Sequence, residues 1–145
     1  MSKRIVFITG ATSGIGEATA RLLARNNFEW ILCGRRKDRK EKLQRELAEY
    51  TEVTALSFDI RNQQDVKKSI ASLPERWKAI DVLINNAGNA HGLDPIQSGK
   101  IEDWDAMMDI NVKGLLYVSR EIIPGMTERQ RGHIINLGSI AGKEV

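Results

Sequence analysis

The sequence predicts an α/β fold, a doubly wound parallel sheet with helices on both faces. Three observations predict it. Short apolar runs alternate with helix-period segments along the whole chain. Those runs are apolar at successive positions, as strands buried on both faces require. The first run also passes through a glycine-rich turn straight into a helical segment, the βα step of a doubly wound sheet.

Taken in order, RIVFIT (4–9) is the first strand, and an amphipathic helix follows over 15–26. FEWILC (28–33) is the second strand. The next helix, 38–50, carries Leu43, Leu47 and Tyr50 on one stripe and charges elsewhere. VTALSF (53–58) is the third strand, and the helix at 62–73 opens with Asn62 and Asp65 at cap spacing. AIDVLIN (79–85) is the fourth strand, a long helix spans about 101–123, and HIINLG (133–138) is the fifth strand. Pro74, Pro95 and Pro124 fall at predicted helix ends or loops. Right-handed crossovers place a switch point beside the first strand. Repeats, low-complexity tracts and linkers are absent from the sequence, so residues 1–145 read as one domain.

The 145 residues are 41% hydrophobic and 28% charged, a balance that excludes disordered and fibrous classes. MSKRIVFITG has too short an apolar run for a signal peptide or membrane span, which predicts a cytoplasmic protein with no membrane partner. Cys33, the single cysteine, predicts a reduced compartment and a buried strand position. Trp30, Trp77 and Trp104 read as core or helix-packing residues. The net charge of +3 is concentrated in GRRKDRKEK (34–42). That run leads into an amphipathic helix, so most of its lysines are expected on the solvated face. Neither aromatic interleaving nor zinc spacing accompanies it, which argues against nucleic acid or metal as a partner.

The chemistry-bearing stretch is TGATSGIG (9–16). Gly10 permits a sharp turn, Gly14 lets bare backbone approach a diphosphate, and Gly16 allows the helix to pack closely on the strand. Strand, loop and helix in that order point to a dinucleotide-binding, Rossmann-type site.

The loop with its preceding Thr9 resembles the TGxxxGxG loop of the short-chain dehydrogenases/reductases. Asn85-Asn86-Ala87-Gly88 (NNAG), Asn111 in the long helix and Ser139 after the fifth strand resemble further motifs of that family, in the same order. More narrowly, GRR after the second strand, LDPIQSGKIEDWDAMMDINVKGLLYVSREIIPGM and GHIINLGSIAG resemble the subgroup that oxidises 3-hydroxy acids such as serine and allo-threonine with NADP.

The resemblance implies a set of site residues. Gly10, Thr12, Ser13, Gly14, Ile15 and Gly16 would surround the diphosphate. Asp59 and Ile60 would meet the adenine, although Asp59 also reads as an ordinary turn aspartate. Asn86, Ala87 and Gly88 would pass beneath the adenosine ribose and the nicotinamide side. Asn111 would hold a water of the proton relay or, alternatively, be a satisfied core amide between Met108, Ile110 and Leu115. Ser139 would orient the substrate hydroxyl. Charge decides the cofactor: the second strand ends in Gly34, Arg35 and Arg36, with no carboxylate to hold a ribose 2′-OH. Guanidinium forks bind a 2′-phosphate, so NADP is expected, the alternative being two exposed arginines that open a helix.

The family's base is a tyrosine whose pKa, ordinarily about 10, is lowered by a lysine four residues on. Here Tyr50 is followed by Thr54 and Tyr117 by Glu121, so neither substitutes. The resemblance therefore implies that positions 1–145 are the first part of a single domain of about 250 residues. Alone, they are expected to be inactive and poorly soluble, with the fifth strand as an exposed edge. His91 is read as a loop residue near the substrate mouth, and His133 as preceding a strand. The long helix is apolar on more than one face, which predicts a homo-oligomer, a dimer or tetramer. Two other functions stay open: a catalytically silent nucleotide-binding module, and a reductase of another carbonyl substrate.

Overall fold

The computed structural model describes residues 3–144. Five parallel strands, β1 (Arg4–Thr9), β2 (Phe28–Cys33), β3 (Val53–Leu56), β4 (Val82–Asn85) and β5 (His133–Asn136), lie in the order β3-β2-β1-β4-β5. β1 and β2 pair along their full length, from Arg4 opposite Phe28 to Thr9 opposite Cys33. The chain first winds outward to β3 and then returns across β1 to place β4 on its other side. The connections that leave the carboxyl ends of β1 and β4 thus part in opposite directions, which opens a crevice at that rim.

Alternation along the strands feeds two cores. Ile5 and Phe7 of β1 face one side with Ile31, Cys33 and Leu83. That side is covered by α3 (Gln63–Ala71), α4 (Glu75–Lys78) and α6 (Leu115–Glu128), through Val66, Ile70, Trp77, Val118 and Ile122. Val6 and Ile8 face the other side with Trp30, Leu32 and Ile84. There α1 (Gly14–Leu23) and α2 (Lys37–Leu47) contribute Ala20, Leu43 and Leu47. Burying each such side chain contributes about 1.5–3 kcal/mol, which is why the doubly apolar runs become central strands. Asn62 caps α3 as its spacing predicts: Oδ1 accepts from the N–H groups of Gln64 (3.0 Å) and Asp65 (3.1 Å).

Several elements depart from expectation. β3 and β5 stop two residues early, at Leu56 and Asn136. β4 begins at Val82, though Asp81 still bridges the sheet: its N–H donates to Ile5 O and its C=O accepts from His133 N, both at 2.9 Å. His133 is itself the first residue of β5. The long helical segment is three pieces, α5 (Ile101–Met108), a π-helical stretch (Asp109–Gly114) and α6, and it runs five residues past position 123.

Pro124 therefore sits inside α6, not at a helix end. It deprives the Arg120 carbonyl of its intrahelical donor; both residues are exposed, so water can take that place. Trp30 and Trp77 are core, but Trp104 is 37% exposed, lying against Gly99, where a Cβ would come within 2.7 Å of its ring. Lys40 is buried instead of solvated, because positions 40, 43 and 47 form the inward stripe of α2. All four residues of β5 are exposed.

Candidate cofactor and active site

Every strand delivers its carboxyl end to the same rim. After Thr9 the chain turns through Gly10 (φ +63°) and reaches Gly14 (φ +56°), conformations that suit glycine. A Cβ on Gly14 would meet nothing within 4 Å, so the backbone here faces open space at the start of α1. Such an N-terminus, with free N–H groups and the positive end of the helix dipole, suits an anion. Ser13 is the N-cap of α1, yet its hydroxyl makes no capping bond.

Gly16 acts differently from expectation. A Cβ there would lie 2.3 Å from Asn86 Nδ2 and 2.4 Å from Gly10 O, so the close approach is to the loop and to Asn86, not to the strand. Asn86 earns that space by stitching β1 to β4. Its Nδ2 donates to Thr9 O (3.1 Å) and Gly10 O (3.0 Å). In return Thr9 Oγ1 accepts from the N–H groups of Asn86 (3.1 Å) and Ala87 (2.9 Å).

Asn111 was expected among sheet-packing apolar neighbours, but it is exposed. It lies in the π-helical stretch, where the extra residue per turn re-aims the side chain toward the loop after β4. Its Oδ1 accepts from Asn89 N (2.9 Å) and its Nδ2 donates to Asn89 O (2.8 Å). Ser139 follows β5 and caps a short 3₁₀ turn (Ile140–Gly142), its Oγ accepting from Ala141 N at 3.2 Å. Beneath it, Asn85 Nδ2 donates to Asn136 Oδ1 (2.9 Å) and Ser119 Oγ (3.1 Å).

Two adjoining clefts share Gly10, Ser13, Ala87, Gly88 and Asn89. The first, about 320 Å³, also has Thr12, Arg35, Arg36, Asp59 and Ile60 in its wall. The second, about 650 Å³, adds Gly14, Ile15, Asn86, Asn111 and Ser139. Of the fifteen residues expected at the site, Gly16 alone lines neither cleft; it lies under the loop it supports. His91 is exposed and lines neither. Asn89, Phe58, Leu137 and Gly138 also line the clefts and were not singled out from sequence; Asn89 could have been found only as the residue following NNAG.

Charge in the first cleft is one-sided. Arg35 and Arg36 are exposed, and among the described residues neither makes an ion pair. Asp59 is held by Arg61, Nε to Oδ1 at 3.0 Å and Nη2 to Oδ2 at 2.7 Å, with the Arg61 N–H on Oδ1 as well. Those bonds from Arg61, aided by the nearby charge of Arg35, hold its carboxyl below the ordinary 3.8. Both carboxylate oxygens are thereby engaged, which satisfies the turn-aspartate reading while leaving the residue in the cleft wall. Bare backbone, a floor of small residues and a cationic wall whose one carboxylate is already paired fit a phosphorylated dinucleotide. Among the described residues no cluster of three metal-ligating side chains occurs, and no helix is long and apolar enough to cross a membrane.

A family model described as short chain dehydrogenase matches residues 4–145. The NADP-dependent 3-hydroxy acid dehydrogenase YdfG of Salmonella typhi is 49% identical over 138 residues, covering 95% of this chain and 55% of that protein. A crystal structure of serine dehydrogenase from Escherichia coli superposes with a TM-score of 0.90 at 43% identity, covering 97% of this chain and 64% of that one. The closed form of serine dehydrogenase complexed with NADP+ gives a TM-score of 0.88 at 45% identity, covering 95% and 55%. The chain spans about half the length of the curated relatives it matches.

Proposed function

Because the chain belongs to the short chain dehydrogenase family, we propose that it forms the NADP-binding part of an oxidoreductase acting on a small 3-hydroxy acid such as serine or allo-threonine. The observation that carries this reading is one glycine-rich loop bordering two adjoining clefts: its Gly10–Ser13 turn lies in the cleft of two unpaired guanidinium groups, and the bare backbone of Gly14 lies in the next. The activities by which the similar proteins are named point the same way.

In this reading the backbone N–H groups of residues 10–16, with the Thr12 and Ser13 hydroxyls and Ile15, grip the diphosphate. Arg35 and Arg36 donate to the 2′-phosphate. Asp59 and Ile60 bound the adenine, and Asn86, Ala87 and Gly88 give a floor without clashing side chains. When bound, NADP supplies the acceptor or donor of hydride. Ser139 hydrogen-bonds the substrate hydroxyl from the second cleft, and Asn111 fixes the loop between the two clefts and holds a water for proton movement. No residue of this chain is assigned as the base: its two tyrosines, Tyr50 and Tyr117, have Thr54 and Glu121 where a lysine would be needed. The exposed apolar stripe Ile101, Trp104, Met108, Val112 and Leu116 is assigned to a homo-oligomer contact, a dimer or tetramer.

Titration with each dinucleotide tests the cofactor reading. NADP should bind about tenfold or more tighter than NAD, and Arg35→Ala should remove most of that preference. Absence of any saturable signal overturns the reading, and a preference for NAD overturns the role of the arginines. That neither Tyr50 nor Tyr117 has a lysine four residues on suits one other reading as well, a catalytically silent nucleotide-binding module. A Tyr-x-x-x-Lys pair in the reading frame after position 145, with reduction of NADP by L-serine, supports the dehydrogenase; a continuing frame without the pair supports the module.

A further inference from the structure

Lys40 is the one residue of the basic run 34–42 that turns inward, and its surroundings are unusual for a lysine. It is 4% exposed. Its Nζ donates to Gly34 O (3.3 Å), to Leu56 O (3.2 Å) and to Ser57 Oγ. An ammonium has three protons, and here each has an acceptor, so the charged form is the one these surroundings fit. Desolvation opposes the charge and lowers the pKa, which makes the three acceptors necessary rather than incidental.

The acceptors lie at two places that matter. Gly34 follows the last residue of β2 and precedes Arg35 and Arg36; Leu56 ends β3, and Ser57 leads from it into Phe58, Asp59 and Ile60. Both segments line the first cleft. β2 and β3 pair up to Cys33 opposite Leu56, and beyond that point the ladder gives way to the two wall segments. The Lys40 ammonium ties them together where the ladder ends.

We infer that Lys40 is a positioning residue for 2′-phosphate selection, its buried ammonium clamping the carboxyl ends of β2 and β3 so that Arg35 and Arg36 are held in one cleft with the Asp59 segment, and adding a fixed positive charge behind them. This rests on the dinucleotide reading above. Removing the charge should cost NADP affinity more than NAD affinity, because the two ligands differ only by the phosphate. A general loosening of the fold would weaken both alike.

The test compares Lys40→Met, which keeps an unbranched stem, and Lys40→Arg, which keeps the charge, in NADP and NAD titrations of the full-length protein. For Lys40→Met the ratio of NADP to NAD affinity should fall about tenfold, with NAD affinity changed by less than about threefold. Lys40→Arg should retain most of the ratio. Ser57→Ala removes one acceptor at an exposed site with little risk to folding, and it should lower the ratio about threefold; this variant decides the matter if Lys40→Met does not fold. Equal weakening of both dinucleotides, or an unchanged ratio, overturns the inference while leaving the cofactor site standing. Wild-type chain that binds neither dinucleotide overturns the cofactor reading, and this inference with it.

Discussion

The side-chain amide of Asn111 engages both main-chain polar groups of Asn89, accepting its N–H at 2.9 Å and donating to its C=O at 2.8 Å. A residue in a π-helical turn thus reads the backbone of a loop 22 positions earlier, as a neighbouring strand would. The pairing also explains Gly88, where a Cβ would come within 3.0 Å of Asn111 Oδ1. A side chain at position 88 would crowd that amide and make it shift by a few tenths of an ångström.

Replacing Asn111 by alanine removes two hydrogen bonds, each with a net contribution of about 0.5–1.5 kcal/mol. Denaturant unfolding should show a loss of about 1–2 kcal/mol. Amide hydrogen exchange should rise at Asn89 and its neighbours but not in β1. Unchanged protection at Asn89 would contradict the pairing.

Gly16→Ala places a methyl group against the Asn86 amide and the Gly10 carbonyl, and both contacts must be relieved. Overpacking of this kind costs about 1–3 kcal/mol. Because Asn86 also bonds Thr9 and Gly10, the variant should weaken dinucleotide binding as well as stability. Gly14→Ala meets open space, so its cost should come from the backbone alone, about 1 kcal/mol at a positive φ.

Asp59 gives a pH dependence whose sign is fixed. Its folded-state pKa is depressed below 3.8, first by the Arg61 side chain. The associated stability is therefore fully present above 3.8 and is lost as pH falls through the folded value. Arg61→Ala should move the Asp59 carboxyl upward in an NMR titration. The pair is partly exposed, so the loss of stability should stay below about 1 kcal/mol.

Burial raises the Cys33 thiol well above its ordinary range, and the residue is enclosed between β1 and β3. A thiol-specific reagent should leave the native protein unmodified and label one thiol once denaturant is added. Rapid labelling of the native chain would show that the β2 end is open to solvent.

Strands β1 and β2 were legible to the residue, because an unbroken apolar run buried on both faces has one reading. β3 was overextended because Ser57 and Phe58 continue the alternation, although Ser57 has already left the ladder to meet Lys40. Lys40 itself was hidden by composition: a lysine among lysines and arginines reads as solvated, and only its i, i+3, i+7 spacing with Leu43 and Leu47 indicates otherwise. The inclusion of Pro124 in α6 depends on solvent reaching the Arg120 carbonyl, which no local pattern encodes. Glycine spacing located the loop of the site, but Asn111's partner could not be read from sequence, since it depends on an extra residue in one helical turn.

The first cleft draws on the ends of β2 and β3 and the second on the end of β5, while the turns after β1 and β4 belong to both. Substitutions at 35, 36, 40 or 59 can therefore retune which carrier is accepted without disturbing Ser139 or Asn111, and the reverse holds too. A lineage, or an engineer, can exchange one half of the recognition surface while inheriting the other intact.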